Sequence, residues 1–216
     1  MIQSSIRDLN PGKIVCLART FAKHAAELGN EVPTDPIFFL KAPSALIGPG
    51  DAIILPEQSA LVQHEGEIAV RLSASLTRAS EAQAYNAIGG WSVLNDVTAR
   101  DLQRADAGRF TRAKNFDSFC PLHPEFVDIA DWRQVAVRTV VNGVQRQYGA
   151  LSTMVFTPGR LLAYVSHFMT LEAGDIVSLG TPHGVDKLSD GDLVGIELVN
   201  LEGHCLRRLE NPVRVA

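Results

Sequence analysis

Glu65 and Glu67 stand two apart in LVQHEGEIAVRL, and Asp96 closes on WSVLNDV. Each is an acid inside a segment that otherwise reads as a buried strand. Side chains at i and i+2 of a strand leave the same face, which puts the two glutamates about 6 to 7 Å apart at their Cα atoms. Like charges on an apolar face repel and are poorly solvated, so something positive has to neutralise them. A lysine or arginine would serve, and so would a metal ion; spacing alone leaves both readings open. Three hard oxygen donors with no His or Cys pair beside them favour Mg²⁺ or Mn²⁺, fit Ca²⁺ less well and suit zinc poorly. Such a site also leaves positions for water and substrate, the catalytic arrangement rather than the closed structural one.

A second constellation precedes the first. His24 and Glu27 lie three apart on a predicted helix and share its face. A histidine held by a carboxylate can activate water as a general base, although on a short helix the same pair is often just solvated. Arg19, shortly before, could clamp a carboxylate bidentately or form a surface ion pair. On their own, Lys114 reads as a loop salt-bridge partner, Gln103 as a helix-end polar residue, and Arg100 with Asp101 as a structural pair. The Gly-rich turn LGTPHG at 179–184 offers backbone N–H groups to an anion, with Thr181 adding a hydroxyl. No GxxxxGK[ST] element is present, so nothing points to nucleotide binding or to an organic cofactor.

The elements that must position these groups are mostly strands. Short strands are predicted at 13–17, 37–41 and 52–55, with a helix over 20–28 closed by Gly29. The longest strand signal spans 61–72, where alternation places Glu65, Glu67 and Ala69 on one face. Ser80 and Gln83 form a capping box for a helix through Ala87 that ends at Gly89-Gly90. WSVLNDV at 91–97 is a strand, with a helical turn following. In the last third, Asn142-Gly143 marks a hairpin, Thr157-Pro158 opens a helix running to about Phe168, and 193–209 holds two strands turned at Glu202-Gly203. A Gly-Asp pair precedes a strand three times (Gly50-Asp51, Gly174-Asp175, Gly191-Asp192), which turn chemistry explains without duplication. Regular βαβ alternation is missing, which argues against Rossmann and TIM architectures.

With 46% hydrophobic and 20% charged residues, the 216-residue chain can bury a substantial core. Its 20 basic and 24 acidic residues leave no basic footprint for nucleic acid. The segment 1–13 has no apolar core of signal-peptide length, and no stretch is long enough to span a bilayer. Cys16, Cys120 and Cys205 are odd in number, far apart and without a CxxC pair, as in a reducing compartment; cytoplasm is the expectation, and no catalytic cysteine.

Four motifs, HEGE at 64–67, NDVTARDLQ at 95–103, RAKNFDSFCP at 112–121 and LGTPHGV at 179–185, occur in an order that resembles the fumarylacetoacetate hydrolase family. The resemblance covers roughly residues 13–200 and is to its short acylpyruvase, oxaloacetate decarboxylase and hydroxyheptadienedioate isomerase types. It implies an α+β, mainly β fold, a mixed β-roll or sandwich with a few short helices. The chain 1–216 would be one catalytic domain whose smaller N-terminal portion, 1–50, carries the His24/Glu27 lid helix. It implies Mg²⁺ or Mn²⁺ on Glu65, Glu67 and Asp96, His24 as base oriented by Glu27, and Lys114 against developing oxyanion charge. Arg19, Lys41, Gln103 and Thr181 would contact a small 2-oxo acid substrate, in a homodimer. The implied reaction is hydrolysis of the C–C bond of a 2,4-dioxo acid through a pyruvate enolate. Decarboxylation of oxaloacetate, isomerisation of a hydroxylated dienedioate and a degenerate, non-enzymatic binder are the alternatives. Two departures bear on the pocket: Ala18, Thr20 and Phe21 flank Arg19 where the family usually reads G-R-N-Y, and His123 precedes Pro124 where Gly is common.

Overall fold

The computed structural model describes residues 6–216; the first five residues of the segment 1–13 lie outside the described residues. In chain order the strands are β1 (Ile14–Ala18), β2 (Ile37–Lys41), β3 (Leu46–Ile47), β4 (Ile53–Leu55), β5 (Val62–Gln63), β6 (Gly66–Leu72) and β7 (Ile88–Asn95). They continue with β8 (Thr98–Ala99), β9 (Cys120–Pro121), β10 (Val135–Val141), β11 (Val144–Ala150), β12 (Ile176–Ser178), β13 (Leu193–Asn200) and β14 (Cys205–Val215). The helices are α1 (Ala22–Glu27), α2 (Glu81–Asn86), α3 (Arg100–Ala105), α4 (Thr111–Lys114) and α5 (Pro158–Ser166). At 38% strand and 20% helix this is the mainly β, α+β fold that the sequence implied.

Two five-stranded mixed sheets carry the architecture, in the orders β2-β1-β12-β6-β7 and β11-β10-β13-β14-β4. They pack face to face. Alternate residues of the first sheet, such as Val15, Ile68, Val70, Val93 and Val177, join Val137, Ile196 and Leu198 of the second in one core. The intervening residues, Ile14, Cys16, Ala69, Leu94 and Ile176, form a separate apolar cluster on the first sheet's other face. That sheet is therefore covered on both sides, which is why its central strands are nearly all apolar. Glu67 shares the face of Ala69, as the alternation required.

Several local devices match their sequence signals. Ser80 and Gln83 form the capping box of α2, and Thr157 caps α5 with Pro158 behind it. Asn142 and Gly143 turn with φ of 52° and 78°, the left-handed pair of a type I′ hairpin joining β10 to β11. The expected continuous strand over 61–72 is instead two. β5 pairs with β8 and β6 with β7, and His64 and Glu65 occupy the break. Here the backbone leaves the ladder because Glu65 donates its N–H to Asn95 Oδ1 and accepts from the N–H of Asp96. Gly89 and Gly90, beyond α2, lie inside β7, where a Cβ at Gly90 would come within 2.7 Å of Phe126 Cβ.

Gly66, between the two glutamates, packs directly against the second sheet. A Cβ there would overlap the hydroxyl of Thr139 and lie 3.0 Å from Ile196 Cδ1. Gly66→Ala is expected to destabilise the protein by about 1–3 kcal/mol through overpacking. A urea midpoint equal to wild type would rule out this packing argument.

Candidate active site

Glu65, Glu67 and Asp96 meet in a cavity of about 310 Å³. One oxygen from each lies within 4.8 Å of the others, and all three side chains are buried. Glu67 is on β6, Glu65 in the break before it, and Asp96 just beyond β7, so adjacent antiparallel strands supply the whole cluster.

Cations reach it from three other elements. Lys114, the last residue of α4, donates to Glu65 Oε2 at 2.7 Å and Asp96 Oδ2 at 2.5 Å. Lys41, closing β2, donates to Asp96 Oδ1 at 2.7 Å. Arg100, opening α3, pairs with Glu65 and donates to Gln63 at 2.7 Å and Gln103 at 2.5 Å. Two readings of the sequence change here. Arg100 belongs to the acid cluster and not to Asp101, which instead accepts from Ser59 and the Ala60 N–H. Lys41, expected to contact substrate, is 1% exposed, sits behind Asp96 and does not line the cavity.

Glu67 is the exception among the acids. It accepts from Ser178 Oγ at 2.6 Å and the Gly180 N–H at 3.0 Å and has no cationic partner among the described residues. Burial pushes its carboxyl up and the charges of Asp96 and Glu65 push the same way, leaving it well above the usual range. For Glu65 burial also acts upward, but Lys114 and Arg100 more than offset it and hold the group low. A buried carboxylate without a counter-charge, beside two others at ligand spacing, is a set that can hold a divalent cation.

A pH dependence follows. In the unfolded chain Glu67 has its ordinary value of 4.5; folded and metal-free, it keeps its proton to higher pH. The folded state then binds more protons than the unfolded state, so stability falls as pH rises from 4.5 through the raised value. With EDTA present the urea midpoint is expected to drop over that window. Glu67→Gln should flatten the slope, and a divalent ion should restore stability most at the alkaline end. A midpoint that climbs with pH there would contradict the assignment.

His24 and Glu27, on α1, line the same cavity. His24 Nδ1 is 3.1 Å from Glu27 Oε2, while Glu27 Oε1 accepts the Gly184 N–H at 2.8 Å. With Nδ1–H donated to the carboxylate, Nε2 keeps a lone pair for a substrate or water proton. Arg19 lines the cavity from the turn after β1, holding φ at 57°, a region non-glycine residues adopt uncommonly. Of the departures flanking it, Thr20 and Phe21 are buried away from the cavity, the Thr20 hydroxyl donating to Leu179 O at 2.7 Å.

The 179–184 turn was expected to cradle an anion. Its amides instead serve the protein's own carboxylates, Gly180 on Glu67 and Gly184 on Glu27. Thr181 lines the cavity, but its hydroxyl donates to Gly66 O at 2.9 Å and accepts from Gln147 Nε2 at 2.8 Å. Gln147, on β11, also accepts from the Gly66 N–H at 3.0 Å and bonds His64 Nδ1 at 3.0 Å. It ties HEGE to the turn, and no feature of its sequence neighbourhood announced it. Cys16 and Cys120 are buried, burial pushing the Cys120 thiol up to about 12 and Cys16 higher than usual, as suits non-nucleophilic thiols. Among the described residues no helix is long and apolar enough to cross a membrane.

Residues 13–214 match the fumarylacetoacetate (FAA) hydrolase C-terminal family. The chain belongs to the fumarylacetoacetate hydrolase family. Within that family it is 38% identical over 210 residues to the oxaloacetate tautomerase YcgM of Escherichia coli, covering 94% of each chain. Among solved structures it resembles a 5-carboxymethyl-2-hydroxymuconate delta-isomerase from Mycobacterium smegmatis, with TM-score 0.85 and 39% identity over 95% of this chain and 78% of that one. A fumarylpyruvate hydrolase from Pseudomonas aeruginosa, solved with Mn²⁺ and pyruvate, superposes with TM-score 0.87 at 25% identity, covering 95% and 91%. Named family members are thus hydrolases, tautomerases and isomerases, all enzymes.

Proposed function

We propose that this protein interconverts the keto and enol forms of a short 2-oxo acid, using Mg²⁺ or Mn²⁺ held by Glu65, Glu67 and Asp96. The observation that carries this reading is the His24–Glu27 dyad on the wall of the cavity that holds the acid cluster. The resemblance to an oxaloacetate tautomerase over nearly the whole of both chains supports the reaction type.

Charge balance supports the substrate class. The three acids are matched by Lys41, Lys114 and Arg100, so a divalent ion adds two positive charges to a buried site. An anionic ligand is needed to neutralise them, and a 2-oxo acid offers a carboxylate with an adjacent keto oxygen. When bound, the metal supplies Lewis acidity toward those oxygens. His24 Nε2 takes a proton from the carbon beside the keto group, and the C–H electron pair becomes the enolate C=C bond. Negative charge moves to oxygen, where the fixed ammonium of Lys114 opposes it. Glu27, anchored by Gly184, holds the imidazole tautomer and stabilises the imidazolium. The enol forms when the enolate oxygen takes a proton from solvent; in reverse, solvent takes that hydroxyl proton and His24 returns its own to carbon.

The second reading is hydrolysis of the C–C bond of a 2,4-dioxo acid, favoured by the neighbour solved with Mn²⁺ and pyruvate. There His24 would deprotonate water, and the same enolate would leave. Both are tested by following the ultraviolet absorbance of enol-oxaloacetate, and pyruvate release from fumarylpyruvate, with Mg²⁺, Mn²⁺ or EDTA. Metal-dependent loss of the enol signal without pyruvate release supports the first reading, and pyruvate release the second. Acceleration of neither reaction would sink both.

A further inference from the structure

The cavity wall holds more positive charge than the acid cluster uses. Of the cationic side chains lining it, Arg100 and Lys114 are committed to Glu65 and Asp96, and His24 to Glu27. The guanidiniums of Arg19 and Arg104 have no hydrogen-bond or ion-pair partner among the described residues.

Arg104 is placed by α3. Arg100 opens that helix and touches Glu65; Arg104 follows four residues later, on the same face, about 6 Å farther along the axis. Arg100 is buried and Arg104 exposed, so the helix runs from the acid cluster toward the cavity mouth. Gln103, bonded to Arg100, lines the wall between them.

The acids near Arg104 in the chain are committed elsewhere. Asp101, one turn back, accepts from Ser59 Oγ at 2.6 Å and the Ala60 N–H at 2.8 Å. Asp106, two residues on, is taken by Arg112 through Nε at 2.9 Å and Nη2 at 2.6 Å. Glu27, which lines the cavity wall outside the acid cluster, holds His24 and Gly184. A guanidinium left without a counter-ion about one helical turn above the reacting end is placed to receive an anion from the ligand.

We propose that Arg104 reads a second carboxylate at the far end of the substrate, making the protein selective for short 2-oxo diacids over 2-oxo acids with an uncharged far end. This rests on the reading that a 2-oxo acid head binds at the acid cluster. It adds the residue that reads the tail.

The test compares 3,3-difluorooxaloacetate, which cannot enolise, with its 4-methyl ester, by calorimetric titration of the Mn²⁺-loaded full chain. The wild type is expected to bind the diacid about tenfold or more tighter, the range of a hydrogen bond to a charged group. Arg104→Gln should remove that preference while leaving ester affinity unchanged, and Arg104→Glu should invert it. In turnover of oxaloacetate, Arg104→Gln should raise KM about tenfold with kcat near wild type. Equal binding of the two ligands by the wild type, or a diacid preference that survives Arg104→Gln but disappears in Arg19→Gln, overturns the proposal. Because titration needs no turnover, a diacid preference that depends on Arg104 in a protein with no keto–enol activity would uphold this inference while discarding the proposed reaction.

Discussion

Replacing Asp96 with alanine is expected to destabilise the protein by about 3–5 kcal/mol and to abolish divalent-metal binding, the largest single effect anticipated in the molecule. Asp96 is 1% exposed and receives two ammonium groups, Lys41 at 2.7 Å and Lys114 at 2.5 Å. Without it Lys114 keeps Glu65, but Lys41 keeps only the Val97 carbonyl at 3.4 Å, an uncompensated charge in the interior. Asp96→Asn retains oxygen and shape and should lose less stability while still losing the metal. Glu67→Gln separates the two effects from the other side, because no cation depends on Glu67. It should fold with near wild-type stability at neutral pH and fail to bind Mn²⁺. Urea denaturation read alongside Mn²⁺ titration distinguishes these variants. An Asp96→Ala protein with an unchanged midpoint would show that the lysine pairs contribute little.

His24→Gln is expected to lower kcat by about 10²- to 10⁴-fold, the range for a positioned general base, with metal affinity unchanged. Glu27→Gln should cost less rate but more order. Glu27 uses one oxygen for His24 and the other for the Gly184 N–H, and an amide has a single oxygen. One of those donors would then face an NH₂ group, so α1 would be tied either to its histidine or to the turn. Steady-state kinetics with the metal saturating, and Mn²⁺ affinity measured separately, check both. A His24→Gln enzyme within a few-fold of wild type would move the base elsewhere.

Much of this arrangement is legible in the sequence. Acids in apolar segments are costly to bury, so Glu65, Glu67 and Asp96 stood out by environment, and His24 and Glu27 by helical spacing. The hairpin at Asn142-Gly143 and the caps at Ser80 and Thr157 were readable because turn and cap chemistry is local. The break at His64–Glu65 was not, because its cause, Asn95 Oδ1 on the Glu65 N–H, comes from 30 residues away. Arg100 was assigned to its sequence neighbour Asp101, yet pairs 35 residues back with Glu65.

Most strands, the caps and the hairpin turn depend on propensity, periodicity or spacing within a few residues and are readable locally. Spacing left the acids open between metal and cation partners, and roles for them and for His24 and Glu27 came from the family resemblance. Which charges meet is set by contacts between distant segments. Lys41 crosses 55 residues to Asp96, while Gly180 crosses 113 to Glu67, the acid of the cluster without a cationic partner among the described residues. Electrostatic pairing in a poorly solvated interior follows distance in space, and no local periodicity encodes it. The same reason left Arg104 unremarked in the sequence: its lack of a partner became visible only when the acids around it were seen to be committed elsewhere.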